Sequence, residues 1–414
     1  MSPATAIARL GDPGVSDIIF GQSPPSSTYN EQGIGLPFYQ GKADFGLVHP
    51  TPRVWCTEGN KFARPGDILI SVRAPVGDVN MATEAAVVGR GVSAIRAAEG
   101  VDPWYLYFSL TFMKPVLEAQ ATGSTFASVN STTLRDLEIP FVPLEDQVAI
   151  GRLLRFLLTR IQQEEAAIST TTETKQSAMQ QLFSRGLRGE AQQETEIGPI
   201  PESWAVATID KHFTVTSGGT PSRSNAVYWA GGTIPWVKTT EVHYSVITET
   251  EEHITRAGLD GSAARMLQPS TLLMAMYGQG VTRGKVAILG IEASCNQACA
   301  AMTPTDDEVT PRYLYHYLTS QYQAIRALAH GGQQQNLNLD IVRKIGIAVP
   351  PTIDEQQEIV DVLDALDSKT DLHRRKRSVL DQLFKSLLHK LMTGEVSVDD
   401  LDLGALPSID GSAA

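Results

Sequence analysis

Apolar residues at Ile150, Leu154, Leu157, Ile161 and Ile168 fall three, four or seven positions apart. That spacing keeps one face of an α-helix dry. Lys175 interrupts the stripe before it resumes at Met179 and Leu182, and a second stretch repeats the register through Ile359, Leu363, Leu366, Leu380, Phe384, Leu387 and Leu391. Both stripes have polar centres, Glu164 and Thr171 in the first and Thr370, His373 and Arg377 in the second. The pattern predicts two helices of ~40 residues, each roughly 60 Å long. Their apolar seam pairs Ile150, Leu154, Leu157, Ile161 and Leu182 with Ile359, Leu363, Leu366, Leu387 and Leu391. Ser169 to Thr174 has weak helix propensity and predicts a kink or fray. Arg185-Gly186 and Thr393-Gly394 have the chemistry of helix ends.

The helices belong to a longer repeat. Adding 209 to Ile150, Leu154, Leu157, Met179 and Leu182 lands on Ile359, Leu363, Leu366, Leu388 and Leu391. Upstream, Trp104-Tyr105-Leu106-Tyr107-Phe108 matches Arg312-Tyr313-Leu314-Tyr315-His316. A period this long excludes a solenoid or a propeller blade and predicts two similar domains, each followed by a similar helix. Pro65 to Arg73 reads as a turn and a strand, Ala94 to Arg96 as another, and Asp102 to Leu117 as a helix capped by Asp102. The expected order is a domain over 1–143, a helix over 144–186, a linker over 187–203, a domain over 204–351, a helix over 352–394 and an acidic flexible tail over 395–414. Within the linker, Ile197-Gly-Pro-Ile-Pro-Glu-Ser-Trp204 reads as a proline-stiffened lead into the second domain.

The net charge of −12 argues against a generally basic nucleic-acid binder. Residues 352–414 carry 7 basic and 13 acidic groups, a difference of 6 that is half of the excess, so the globular parts stay near neutral. The sequence shows no apolar run of membrane-spanning length and no basic region leading a secretory apolar core, which points to a cytoplasmic protein. Cys56, Cys295 and Cys299 are too few for a disulfide framework, and Cys295 and Cys299 have no further Cys or His nearby to complete a zinc site, so reduced, buried thiols are expected.

Catalytic motifs are wanting. Gly278 to Lys285 has the glycines of a phosphate loop, but Gln279 stands at the required first glycine and Val286 at the metal-binding hydroxyl. Ser23-Pro24-Pro25-Ser26 and Val349-Pro350-Pro351-Thr352 do not match an adenine-methyltransferase loop. What recurs is loops of glycine, hydroxyl, amide and isolated basic residues, able to read base edges and hold phosphates. In the first half the candidates are Ser23, Tyr39, Gln40, Lys42, Arg73 and Ser124. In the second they are Thr220, Ser222, Lys238, Thr239, Tyr277, Gln279, Thr282, Arg283, Lys285, Asn296, Gln333 and Asn336. Ordinary turn chemistry explains any one of these loops as well.

The chain resembles the DNA-specificity subunit of type I restriction-modification systems. The resemblance rests on Ile197 to Trp204, Ala275-Met-Tyr-Gly-Gln-Gly280, Asn296-Gln-Ala298 and Pro350-Pro-Thr-Ile-Asp-Glu-Gln356, and in the first half on Ser71-Val-Arg-Ala-Pro-Val-Gly77, Gly89-Arg-Gly91 and Glu145-Asp-Gln147. The first domain departs from the second in lacking its Ile-Gly-Pro-Ile-Pro-x-x-Trp opening.

The resemblance implies an α+β fold. Two mixed α/β target-recognition domains with twisted sheets are separated by a coiled coil of two long antiparallel helices, with a pseudo-two-fold internal repeat. It implies a non-catalytic protein of a bacterial or archaeal cell. Each domain would read half of a split site on double-stranded DNA, and the helices would set the spacer. Two methyltransferase subunits using S-adenosylmethionine and two ATP- and magnesium-dependent restriction subunits would be its partners, with no cofactor or metal held by this chain and no membrane. A two-fold repeat suits half-sites about one helical turn, roughly 34 Å, apart. Loss of the Arg283 side chain is expected to weaken one half-site only. The competing reading is a coiled-coil adaptor that binds proteins without reading DNA.

Overall fold

The computed structural model describes residues 6–121, 127–278, 281–330 and 336–403. It divides into two compact units. The first comprises residues 1–167 and 373–414, the second residues 168–372, so each long helix begins in one unit and ends in the other.

In the first unit, a four-stranded antiparallel sheet runs in the order Ser16–Phe20, Val92–Ala97, Ile68–Ser71, Val79–Met81. A five-stranded sheet of short strands includes Leu36–Tyr39, which runs parallel to Ala86–Val88. Ala6–Arg9 pairs with Glu138–Phe141 in a separate ribbon. The second unit repeats this frame. Phe213–Ser217, Cys299–Pro304, Leu272–Ala275 and Val286–Leu289 lie in the same order, extended by Val246–Ile247, and Ala205–Thr208 pairs with Gly346–Val349. The central strands, such as Leu272–Ala275, are apolar throughout and buried, as a sheet covered on both faces requires.

The helix after each sheet is capped alike. Asp102 accepts from the Tyr105 amide at 2.7 Å ahead of Pro103–Gln120, and Thr310 from the Tyr313 amide at 3.2 Å ahead of Pro311–Ser320. Tyr105 and Tyr313 then donate their hydroxyls to the Pro140 and Ala348 carbonyls, tying helix to ribbon.

The long helices are Leu144–Arg185 and Ile353–Thr393. Within the first unit Arg377 pairs with Glu165 at 2.9 Å and His373 meets Glu164, while Leu154 shares a core with Leu388 and Leu391. As one residue number falls the other rises, so the segments are antiparallel. In the second unit Lys175 pairs with Asp367 at 2.6 Å. The helix runs unbroken through Ser169 to Thr174, with no fray there: the Thr172 and Thr174 hydroxyls donate to the Ile168 and Thr170 carbonyls at 2.7 Å, keeping their bonds inside the helix.

The seam residues do more than pair helices. Ile150, Leu154 and Leu391 belong to the first unit's core beside Tyr105 and Phe108, with Leu387 packed against it. Ile359 and Leu363 belong to the second unit's core beside Tyr313 and Tyr317, with Leu182 packed against it. Leu157 and Ile161 are buried, and Leu366 is half-buried. The stripe is thus shared between a helix pair and two domain cores.

Two connecting stretches depart from expectation. The linker contains a hairpin, Gln192–Thr195 against Gly198–Pro201, because Gly198 takes φ +98° at the turn. Within the acidic tail, residues up to Leu403 are described and are packed rather than free. A capped turn at Val398–Asp400 lets Val396, Val398, Leu401 and Leu403 pack on the first core. Apolar residues alternating with the acids supply that contact.

Candidate nucleic-acid interface

In both units the same polar frame forms at one end of the antiparallel sheet. After Phe20 the chain turns through Gly21, and after Ser217 through Gly218. A Cβ on Gly21 would come within 2.1 Å of the Gly89 carbonyl oxygen, and one on Gly218 within 2.1 Å of that of Cys295, so only glycine fits. The next amides, Gln22 and Gly219, donate to the Val88 and Cys295 carbonyls at 2.9 Å.

This fixes Ser23 and Thr220 at equivalent positions. The Ser23 hydroxyl accepts from the Arg90 amide at 3.2 Å, and the Thr220 hydroxyl donates to the Gln297 side chain. Arg90 and Gln297 therefore occupy matching, exposed sites. Gln297 lies in the loop Asn296-Gln297 that the sequence offers as DNA-reading, whereas Arg90 appears there only within Gly89-Arg90-Gly91, as part of the family resemblance.

The neighbouring strand contributes a second pair. Val72 donates to the Gly91 carbonyl at 2.9 Å, and Met276 to that of Ala298 at 2.8 Å. The residues that follow, Arg73 and Tyr277, are both exposed, Tyr277 by 43%. The Arg73 side chain makes no ion pair or hydrogen bond among the described residues.

A third pair lies beyond the parallel strands Leu36–Tyr39 and Ile234–Val237. The Gln40 amide donates to Asp44 at 2.8 Å and the Lys238 amide to Glu241 at 2.7 Å, opening short turns built alike. Each cluster thus presents hydroxyl, amide and cationic groups on a repeated backbone with different side chains. Such groups hydrogen-bond base edges or phosphates.

Other candidates stand elsewhere. Tyr39 is only 1% exposed, and burial, with Glu84 and Asp44 nearby, pushes its hydroxyl up to about 12. It is a core residue, enclosed at the end of its strand with Ala63, Leu69 and Val88, while Gln40, just beyond the strand, is exposed. Lys42 is held by Asp78 at 2.8 Å, which also takes Lys114 at 2.7 Å. Burial alone would raise the Asp78 carboxyl, but the two lysines hold it below its ordinary range. Lys238 keeps its place in the third pair of the frame, with its ammonium group paired to Glu251 and Glu252. Thr239 and Asn296 bond to each other at 2.9 and 3.1 Å. Ser222 bonds Ser224, and Thr282 packs on Gly278. Lys285 lies 5.6 Å from the centre of the Tyr244 ring. Arg283 is half-buried with its Nε shielded from solvent, at the turn position that buried Val76 holds in the first unit. Asn336 is exposed. Ser124, Gln279 and Gln333 lie outside the described residues.

A charged cluster sits away from these tips in the second unit. His316, Asp364 and Asp367 bring ligand-type atoms within 4.8 Å of one another. Arg312 grips Asp364 through two nitrogens at 2.6 and 2.9 Å, and Lys175 takes Asp367. Both carboxylates are thus neutralised by cations, which makes the group an ion-pair network. Burial pushes the Asp364 carboxyl up, yet bonds from His316 and Arg312 hold it at about 2. Burial lowers His316 despite that bond, so its ring is neutral at pH 7. Cys56, Cys295 and Cys299 are free and buried. No helix among the described residues is long and apolar enough to cross a membrane.

A frame of this kind, built twice on sheets tied to paired long helices, defines a repeated recognition protein. The model of the type I restriction modification DNA specificity domain matches residues 16–171 and 201–382, and the chain belongs to that family. Curated relatives include two type I restriction enzyme specificity subunits of Methanocaldococcus jannaschii. MjaX is 38% identical over 183 residues, 44% of this chain and 43% of that protein, so the match spans less than half of its length. MjaIX is 23% identical over 347 residues, 81% of this chain and 79% of that protein. The S subunit of the type I restriction-modification system of M. genitalium shares the fold with a TM-score of 0.66 at 16% identity, covering 94% of this chain and 96% of that one. A chain from a study of complex assembly and conformational transition in the type I R-M system aligns with a TM-score of 0.55 at 18% identity, covering 95% and 99%.

Proposed function

We propose that this chain is the specificity subunit of a type I restriction-modification complex and reads a bipartite site on double-stranded DNA, one half with each domain. The observation that carries this reading is the duplicated frame. Ser23, Arg90, Arg73 and Gln40 occupy the positions of Thr220, Gln297, Tyr277 and Lys238, so one scaffold presents two different sets of hydrogen-bonding groups. Different donors and acceptors on a common frame select different bases.

The long helices set the unread spacer and offer the docking surface for two methyltransferase subunits, which supply S-adenosylmethionine and transfer methyl groups to adenine N6. Two restriction subunits add ATP-dependent cleavage. The chain itself contributes recognition and no catalytic group or cofactor.

The test is to map N6-methyladenine in DNA from cells co-expressing this chain with its methyltransferase. A split motif with two defined halves is expected, and Arg73→Ala should relax one half alone. A continuous motif, or relaxation of both halves by the single change, would sink the two-domain reading. An active methyltransferase that leaves no mark beside this chain would favour the adaptor.

A further inference from the structure

The two frames differ in charge at one matched pair of positions. The Val72 amide donates to the Gly91 carbonyl at 2.9 Å, with Arg73 one residue past the first and Arg90 one residue before the second. Met276 and Ala298 make the same bond in the second unit, and there Tyr277 and Gln297 take the flanking places. One domain carries two cations where the other carries none.

Both arginines have fixed roots and open heads. The Arg90 amide donates to the Ser23 hydroxyl at 3.2 Å, and its turn closes as the Val92 amide donates to the Gly89 carbonyl at 2.9 Å. Arg73 forms a β-bridge with Ser128, and the following amide, that of Ala74, donates to the Ala127 carbonyl at 2.9 Å. Both residues are exposed, and neither side chain makes an ion pair or hydrogen bond among the described residues. Residues 121–128, which end beside Arg73, include no acid. Neighbouring like charges repel, and with 46 acidic groups against 34 basic ones the chain had carboxylates enough to pair them. Leaving both heads open suits a ligand rich in acceptors.

Phosphates are alike in the two halves of a DNA site, whereas bases differ. Holding a phosphate would favour the same charge at matching positions, so a change from two arginines to Tyr277 and Gln297 marks positions that read bases. An arginine fork fits O6 and N7 of guanine, the commonest specific contact in the major groove. We infer that Arg73 and Arg90 each read a guanine, an inference that rests on the specificity-subunit reading above. The half-site of the first domain then contains two G·C pairs. A single backbone bond joins the two roots, so the pairs lie within about three steps of ~3.4 Å.

The test uses the complex of this chain with its methyltransferase and a duplex bearing the split motif that the complex methylates. Guanines are replaced one at a time by 7-deazaguanine, which lacks the N7 acceptor. At two positions of one half the replacement should weaken binding about 10- to 100-fold. Arg73→Gln should remove that penalty at one position and Arg90→Gln at the other, with the melting temperature unchanged. If the variants instead weaken every duplex alike, with or without the site, the arginines hold phosphates and the inference is overturned. Guanines that are all insensitive, or a penalty that survives both variants, would overturn it too. In each of those cases the split motif still stands. A complex that marks no split motif would remove the specificity-subunit reading, and this inference with it.

Discussion

Gly21 and Gly218 show how little freedom the tips allow. Each lies within about 2 Å of a carbonyl oxygen once a Cβ is added, and that oxygen is backbone, so it cannot swing aside. Gly218→Ala should cost about 1–3 kcal/mol, as other overpacked sites do, and urea unfolding of the purified chain would read it. Arg73 stands at the opposite extreme, exposed and with no side-chain partner among the described residues. Its loss should leave stability within about 0.5 kcal/mol and weaken recognition of one half-site by about 1–3 kcal/mol. Titrating DNA with each half mutated in turn separates that from a general loss. Tyr39→Phe should leave DNA recognition untouched, since the side chain is enclosed.

The elements are joined by a device that occurs twice. Gln147 accepts from the Asp102 amide at 3.0 Å and donates to the Val142 carbonyl at 2.8 Å. Gln356 does the same to the Thr310 amide at 2.9 Å and the Glu308 carbonyl at 2.7 Å. Both are essentially buried, so Gln356→Ala would leave two backbone groups unpaired at about 1–3 kcal/mol, visible as a shift in the denaturant midpoint.

The packing beside these glutamines is not alike. Arg312, His316 and Asp364 stand where the first unit has Trp104, Phe108 and Arg155, with Phe108 against Phe384 and Arg155 over the Trp104 ring. Because burial holds the folded His316 below its ordinary value, protonation favours the unfolded chain. The contribution of His316 to stability is therefore fully present above about pH 6.5 and is lost as pH falls below it. The depressed Asp364 adds a second loss between about pH 4 and 2. His316→Phe should flatten the first stage and leave the second, as melting temperature against pH would reveal. An unchanged slope between pH 5 and 6.5 would remove His316 as the cause.

For the whole molecule, charge bears on association more than on fold. With a net charge of −12 the isolated chain gathers few counterions' worth of free energy from DNA. Its affinity for DNA lacking the site should be weak, with a shallow dependence on salt, and addition of the methyltransferase should steepen that slope. A steep slope for the chain alone would mean a concentrated basic face.

The long helices, the two-fold repeat and the helix ends were legible in the chain because they depend on local spacing. A stripe at helical period and a glycine after it carry their own physics, and Gly186 and Gly394 do adopt positive φ. The continuity of the first helix through Ser169 to Thr174 was less legible, since propensity weighs residues singly while hydroxyl bonds to the preceding turn depend on the helix already formed. The interface was legible only as a class of residues. Which of Tyr39 and Gln40 faces out, that Arg90 and Gln297 hold matching tips, and that Arg283 stands where a valine is buried were decided by strand register. A shift of one residue along a strand reverses the face, and register is set by partners 49 residues away in the first unit (87 − 38) and 58 in the second (294 − 236). Local pattern determines what the elements are; only long-range pairing decides which side chains they offer.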